Sequence, residues 1–142
     1  MILDGKINEE AWENVPWTDS FVDIEGNLKP DPYYDTKVKM LWDENYFYFA
    51  ALIEEPHVWG KLTERDAVIY KDNDFEIFLD PDGDTHNYYE LEVNALGTEW
   101  DLILLKPYHD EDKVVIDSWD IPGLITKVHV DGTLNDASDE DR

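Results

Sequence analysis

Apolar and polar positions alternate with a period of two along most of the chain, and helical spacing shows at its start. Thr36 to Trp42 sets Val38, Met40 and Trp42 on one side and Lys37, Lys39 and Leu41 on the other. Asp43-Glu44-Asn45 then turns the chain. Tyr46 to Glu54 follows, with Phe47, Phe49, Ala51 and Ile53 inward. Its other side, Tyr46, Tyr48, Ala50 and Leu52, is apolar too, which predicts a strand covered on both faces or central in a sandwich. Phe75 to Leu79 is a short apolar run around Glu76. Asp80-Pro81-Asp82-Gly83-Asp84 is a dense turn signal. Beyond it Tyr89, Leu91, Val93 and Ala95 alternate with Glu90, Glu92, Asn94 and Leu96, so the two runs predict a β-hairpin with a long connection. One hairpin face goes to a core. The other lines up Asp74, Glu76, Glu90 or Glu92, and Asn94, with Tyr70 and Lys71 at the entry.

The remaining segments fill in a β architecture. Ile2 to Ile7 enters through a tight Asp4-Gly5 turn. Asn8 is a candidate N-cap for a short helix over Glu9 to Val15, with Ala11, Trp12 and Val15 on one side and Pro16 as its stop. Trp12 reads as a core anchor. Trp17 to Ile24 predicts an edge strand, and the Pro30/Pro32 stretch a loop. Leu62 to Tyr70 is expected to hold a helical turn capped by Thr63. Thr98 to Leu105, Val114 to Trp119 and Leu124 to Val130 predict three more strands. About seven strands, one short N-terminal helix and no βαβ rhythm predict an all-β fold, an antiparallel β-sandwich of the immunoglobulin or jelly-roll kind. Its main core is expected on the face of Val38, Met40, Phe47, Phe49, Phe75, Ile77, Leu91 and Val93. Residues 1–130 form this domain. Residues 131–142 are an acidic C-terminal tail, expected to be loosely ordered and to mark where a longer module is cut.

Charge narrows the partners. The 142 residues hold 35 acids against 11 Lys and Arg, a formal net charge of −24. Nucleic acid, which requires phosphate neutralisation, is excluded as a partner, and anionic membrane surfaces are disfavoured. No apolar run is long enough for membrane insertion as a helix. Cysteine is absent, which fits bacterial export and cytosol alike. Met1 sits directly on the first motif, as an added start codon in place of a leader would.

The candidate chemistry is recognition. Sugar rings have apolar C–H faces and hydroxyl edges, so they need aromatic platforms with a few fixed donors and acceptors. A row of acids and amides beside aromatic rings suits them. Trp59, in a loop with Gly60, is a further exposed-platform candidate. Asp80, Asp82 and Asp84 stand at alternate positions, as at the start of a calcium loop, though the glycine is one place off and a distal bidentate acid is missing. Acid pairs of the glycosidase type arise here by chance composition. His57, His86, His109 and His129 lack metal-ligand spacing, and no nucleophile triad or phosphate loop is present. No enzyme activity is expected.

YKDNDFEIFLDPDGD followed by NYYELEVNALGTEWDL resembles the central hairpin of the family 9 carbohydrate-binding modules and their relatives. ILDGKINEEAW and KVKMLWDENYFYFAALIEEP resemble the two preceding motifs, so the resemblance runs from about Ile2 to Leu105. It implies the same sandwich and a non-catalytic module that holds a sugar between two aromatic rings, its hydroxyls read by charged and amide side chains. The first ring matches Tyr70 and the acid in the following strand matches Glu76. A position often basic in the family is Glu92 here, which departs from the familiar hydroxyl pattern. Lys71 and Asn94 complete the candidate set with Trp59. The second ring belongs to a C-terminal part that this chain scarcely has. Relatives bind structural calcium near such turns, which adds Asp4 to Asp80, Asp82 and Asp84. The implied partner is a glycan, a mono- or oligosaccharide. The implied setting is a larger glycan-degrading or surface protein with other domains, secreted, periplasmic or on the bacterial cell surface. Two other readings compete: a structural or interaction domain that has lost the sugar site, and an accessory or catalytic part of a glycoside hydrolase.

Overall fold

The computed structural model describes residues 2–112 and 114–141. The chain is mostly β, with two antiparallel sheets. β1 (Thr36–Trp42) and β2 (Phe47–Ile53) form a two-stranded ribbon in which Thr36 faces Ile53 and Trp42 faces Phe47. β3 (Asp74–Leu79), β4 (Tyr88–Asn94), β5 (Glu99–Leu104) and β6 (Val115–Ile116) form a four-stranded sheet in that order. The alternation read along the chain recovers β1 to β5 closely. β6 is only two residues long, and residues 124–130 form no strand, against expectation. Pro122 and the positive φ of Gly123 (+78°) turn the chain there. The backbone of Val128 and His129 instead lies against Gly5, where a Cβ would come within 2.6 Å and where φ is +85°.

The helical expectations shrink. A single α-helical turn, α1 (Glu10–Glu13), stands in place of residues 9–15. Glu9 holds its N-cap position without a side-chain bond. The turn expected before Tyr70 reduces to a 3-10 turn over Ile69–Lys71. Residues 17–24 run beside β1 without joining it as a strand: the Thr18 and Phe21 amides donate to the carbonyls of Val38 and Thr36, each at 2.9 Å. Lys39, buried on the inner side of the ribbon, donates to the Trp12 carbonyl at 2.8 Å with its ammonium 4.8 Å from the Trp17 ring.

The core is not the expected one. Val38 and Leu91 are buried, but Met40 and Phe47 are 44% and 49% exposed, and Phe49, Phe75, Ile77 and Val93 are half-buried. Among the described residues nothing fully covers the β1–β2 face that carries Met40, Trp42 and Phe47. The interior gathers at Trp12, Ile69, Leu102 and Leu104. The tail is not loose either. The Asn135 side chain accepts from the Gly60 amide and donates back to the Gly60 carbonyl, at 3.0 and 2.9 Å. Asp141, 5% exposed, accepts from the Val58 and Thr133 amides.

Candidate functional site

Opposite residues of an antiparallel pair share a face, so the registers decide which side chains meet. Asp74 faces Asn94, Glu76 faces Glu92 and Phe78 faces Glu90; Glu92 in turn faces Trp100 on β5. One face of the sheet therefore carries Asp74, Glu76, Glu90, Glu92 and Asn94 together, as the alternation predicts. Their burial is the surprise. Glu90 and Glu92 are each 2% exposed and Asn94 1%, so the acidic face is largely interior rather than a solvated wall.

The three-dimensional contacts assign different roles to the candidates. Tyr70 is 59% exposed. Its amide donates to Glu92 Oε2 at 2.9 Å, and its ring lies 6.2 Å from that of Trp100. Glu76 stays exposed on the edge strand β3. Asp74, Glu76 and Glu92 each bring a carboxylate oxygen within 4.8 Å of the others. Lys71 is exposed beside Tyr70. Trp59 reaches solvent at 37% exposure, with the Lys61 ammonium 4.8 Å from its ring. The Lys61 and Leu62 amides both donate to Asp72 Oδ2, which fastens the Trp59 loop close in sequence to the Tyr70 turn. Asn94 is used inside the fold. Its amide nitrogen donates to the Leu62 carbonyl and to Asp72, and its oxygen accepts from the Leu96 and Thr98 amides.

Burial sets the electrostatics of this face. It pushes the Glu92 carboxyl up to about 8, with the Glu76 charge adding to the shift. It pushes Asp74 up to about 6 in the same way, and raises Glu76 and Glu90. The Tyr108 hydroxyl donates to Glu90 and partly offsets the rise there. Sequence reading missed Trp100 and Tyr108 as neighbours of this face, and missed the buried state of the acids. The pairing of Glu76 with Glu92 was available only once the register was fixed.

Two further acidic groups lie elsewhere among the described residues. Asp66, Asp101 and Asp120 surround Arg65, whose guanidinium already pairs with Asp101 and Asp120 and also with Glu99. Asp80, Asp82 and Asp84 are exposed, with oxygens within 4.8 Å of one another. Asp80 accepts from the Gly83 and Thr85 amides, which hold its carboxyl below the usual range. Asp4 accepts from the Lys6 amide and joins none of these groups. An open cleft of about 350 Å³ beside the edge strand is lined by Asp74 and Glu76 together with Phe21, Phe75 and Phe78.

A β-domain whose sheet face sets carboxyls beside an exposed, fixed aromatic ring has the build of a small-ligand recognition module. The family model described as carbohydrate family 9 binding domain-like matches residues 2–112, and the chain belongs to that family. It is 30% identical over 89 residues to endo-1,4-beta-xylanase A of Thermotoga maritima, which covers 63% of this chain and 8% of that protein. It is 28% identical over 88 residues to endo-1,4-beta-xylanase C of Paenibacillus barcinonensis, covering 62% and 7%. It is 27% identical over 100 residues to exoglucanase XynX of Acetivibrio thermocellus, covering 70% and 8%. The chain thus matches less than a tenth of the length of these relatives. No solved structure matches it.

Proposed function

We propose that this domain is a non-catalytic carbohydrate-binding module of a larger secreted or surface glycan-degrading bacterial protein. Its two sheets are the halves of an immunoglobulin- or jelly-roll-like sandwich, a reading supported by Phe21, in the segment hydrogen-bonded along β1, whose ring stacks on Phe75 of β3 at 6.3 Å. The observation that carries the functional reading is Tyr70, an exposed ring on a turn held by the hydrogen bond from its backbone amide to Glu92, whose carboxylate lies within 4.8 Å of that of Glu76. Tyr70 stacks on a pyranose face, and Glu76 accepts from a hydroxyl. Glu92 supports the turn. Lys71 and Trp59 are assigned to the rim, and the cleft at Glu76, which Tyr70 does not line, falls within the size range of small-ligand sites, about 300–1,000 Å³. Family membership and the xylanase and exoglucanase names of the relatives favour plant-type β-glycans as the ligand class. With Tyr70 assigned as the stacking ring, affinity is expected in the micromolar to millimolar range, about −4 to −8 kcal/mol.

Tyr70→Ala should abolish binding of cellobiose and xylobiose in an NMR titration while leaving the fold intact, since the side chain is exposed. Glu76→Gln should weaken binding less. If neither disaccharide moves the resonances of Tyr70 or its neighbours at tens of millimolar, the sugar site fails. The structural reading, favoured by the fully used amide of Asn94, then takes its place.

Calcium belongs to the same proposal at a second place. Asp80, Asp82 and Asp84 offer three hard oxygen ligands in one turn, and Asp4 remains a weaker candidate near the N-terminal turn. Chelator should then lower the melting temperature, because the cation binds the folded turn and not the unfolded one. An unchanged melting curve removes calcium from the proposal.

A further inference from the structure

Among the described residues, the acids on the β3–β4 face have no cation partner. Glu76 and Glu92 stand directly opposite each other in the ladder, and Asp74 lies within 4.8 Å of both. Among the described residues no Lys, Arg or His side chain pairs with Asp74, Glu76, Glu90 or Glu92. Toward Glu92, β3 presents Asp74 and Glu76. β4 itself adds Glu90, bonded by the Tyr108 hydroxyl, and Tyr88. β5 presents Trp100 and Leu102, which do not titrate. The Ile69–Lys71 turn presents the Tyr70 amide, while Lys71 forms no ion pair with any of these acids. Asp72 is engaged with the amides of Lys61 and Leu62.

Like charges directly opposite on a strand pair repel, and burial strengthens the repulsion. Two carboxyls so placed are stable when one of them is protonated. Resting on the reading that this face binds sugar, we infer that the site takes neutral sugars while Glu92, buried opposite Glu76, holds a proton, and releases them when that proton leaves. With the proton in place, Glu92 donates to Glu90 and still accepts from the Tyr70 amide. Glu76 keeps an oxygen for a sugar hydroxyl. Loss of the proton sets two charges against each other beside Asp74. The repulsion drives Glu92 from the position that holds the Tyr70 turn, and the platform loosens. A sugar bearing its own carboxylate adds a further like charge, so uronic acids are excluded. The upward shift of Glu92 to about 8 keeps it protonated at neutral pH.

The test has two arms on the intact chain. In the first, the Tyr70 amide and the Glu92 carboxyl are followed by NMR from about pH 5 to about pH 9.5 without sugar. A shared midpoint above pH 7 is expected; a midpoint below about 5.5 overturns the inference whatever the sugar result. In the second, cellobiose and glucuronate are titrated at about pH 6 and about pH 9. Cellobiose should bind about tenfold more weakly at the higher pH, because the competent protonated form falls to about a tenth. Glucuronate should bind at neither. In E92Q, whose neutral amide does not ionise, the two cellobiose affinities should agree. Equal wild-type cellobiose affinities at both pH values, or glucuronate binding as tight as cellobiose, overturn the inference and leave the sugar site standing. Absence of cellobiose binding at both pH values, with the high midpoint present, fails the sugar site itself and the inference with it. If E92Q does not fold, the wild-type arms decide.

Discussion

Arg65 shows how one side chain can hold distant segments when, among the described residues, its buried partner pairs with no other cation. Its guanidinium bonds Asp101 on β5, which is 0% exposed, as well as Glu99 and Asp120. Asp101 also accepts from the Ile121 amide, so this network fastens residues 120–121 to the sheet. Arg65→Met should destabilise the domain by about 3 kcal/mol in urea titration. That is the low end for breaking a buried pair, because the guanidinium itself is partly in water. A loss under about 1 kcal/mol would mean that Asp101 is satisfied without it. None of this is readable from Arg65 in the sequence, since its partners lie 34 to 55 residues away. Tyr70 and Glu76 stand as candidates through the hairpin's resemblance to the family 9 modules, and the alternation alone does not single them out. The burial of Glu92 was not readable, because an acid alternating with apolar residues ordinarily marks the solvent face.

At the scale of elements, β1 to β5 follow from alternation because each strand has a sided pattern of its own. Of the later segments, residues 114–119 are shortened to β6 and residues 124–130 form no strand; both have apolar residues, but the sheet edge offers only two positions, and β6 takes them. The tail failed for the opposite reason. Its composition is that of a solvated segment, yet short polar side chains satisfy backbone groups of residues 56–60. Asp141 accepts from Val58 and Thr133, its own amide donates to the Pro56 carbonyl at 2.9 Å, and Asn135 closes a two-way bond with Gly60. The tail therefore braces the loop that carries Trp59. Asp141→Ala should leave the sheets intact but speed hydrogen exchange at the Val58 and Thr133 amides, with the Gly60 amide following as the tail frays. Unchanged exchange at Val58 would show that Asn135 alone holds the loop.

For the whole molecule, the acids dominate in two distinct ways, and pH separates them. The 24 uncompensated negative charges repel over the surface and are screened by salt. The buried carboxyls are not screened. Glu92 and Asp74 rise from ordinary values of 4.5 and 3.8 to about 8 and about 6 in the folded chain. Between those limits the folded state holds protons that the unfolded chain has lost, so stability falls as pH rises from about 4 toward 8 and then levels off. The carboxyl of Asp72 acts in the other sense: though burial opposes it, the amides of Leu62 and Lys61 hold it below its ordinary value, so its contribution is lost on strong acidification. The maximum should therefore lie in mild acid, near pH 4–5. Wild-type melting temperature should be higher at pH 5 than at pH 8.5, by an amount that 0.5 M NaCl reduces but does not abolish. The residue of that difference corresponds to a few kcal/mol at most from Glu92 and Asp74. Glu92→Gln combined with Asp74→Asn should remove most of it, the raised Glu76 and Glu90 carboxyls leaving a smaller remainder beside the salt-sensitive part. A wild-type melting temperature that is flat or rises from pH 5 to pH 8.5 in high salt would mean that these buried acids ionise at their ordinary values.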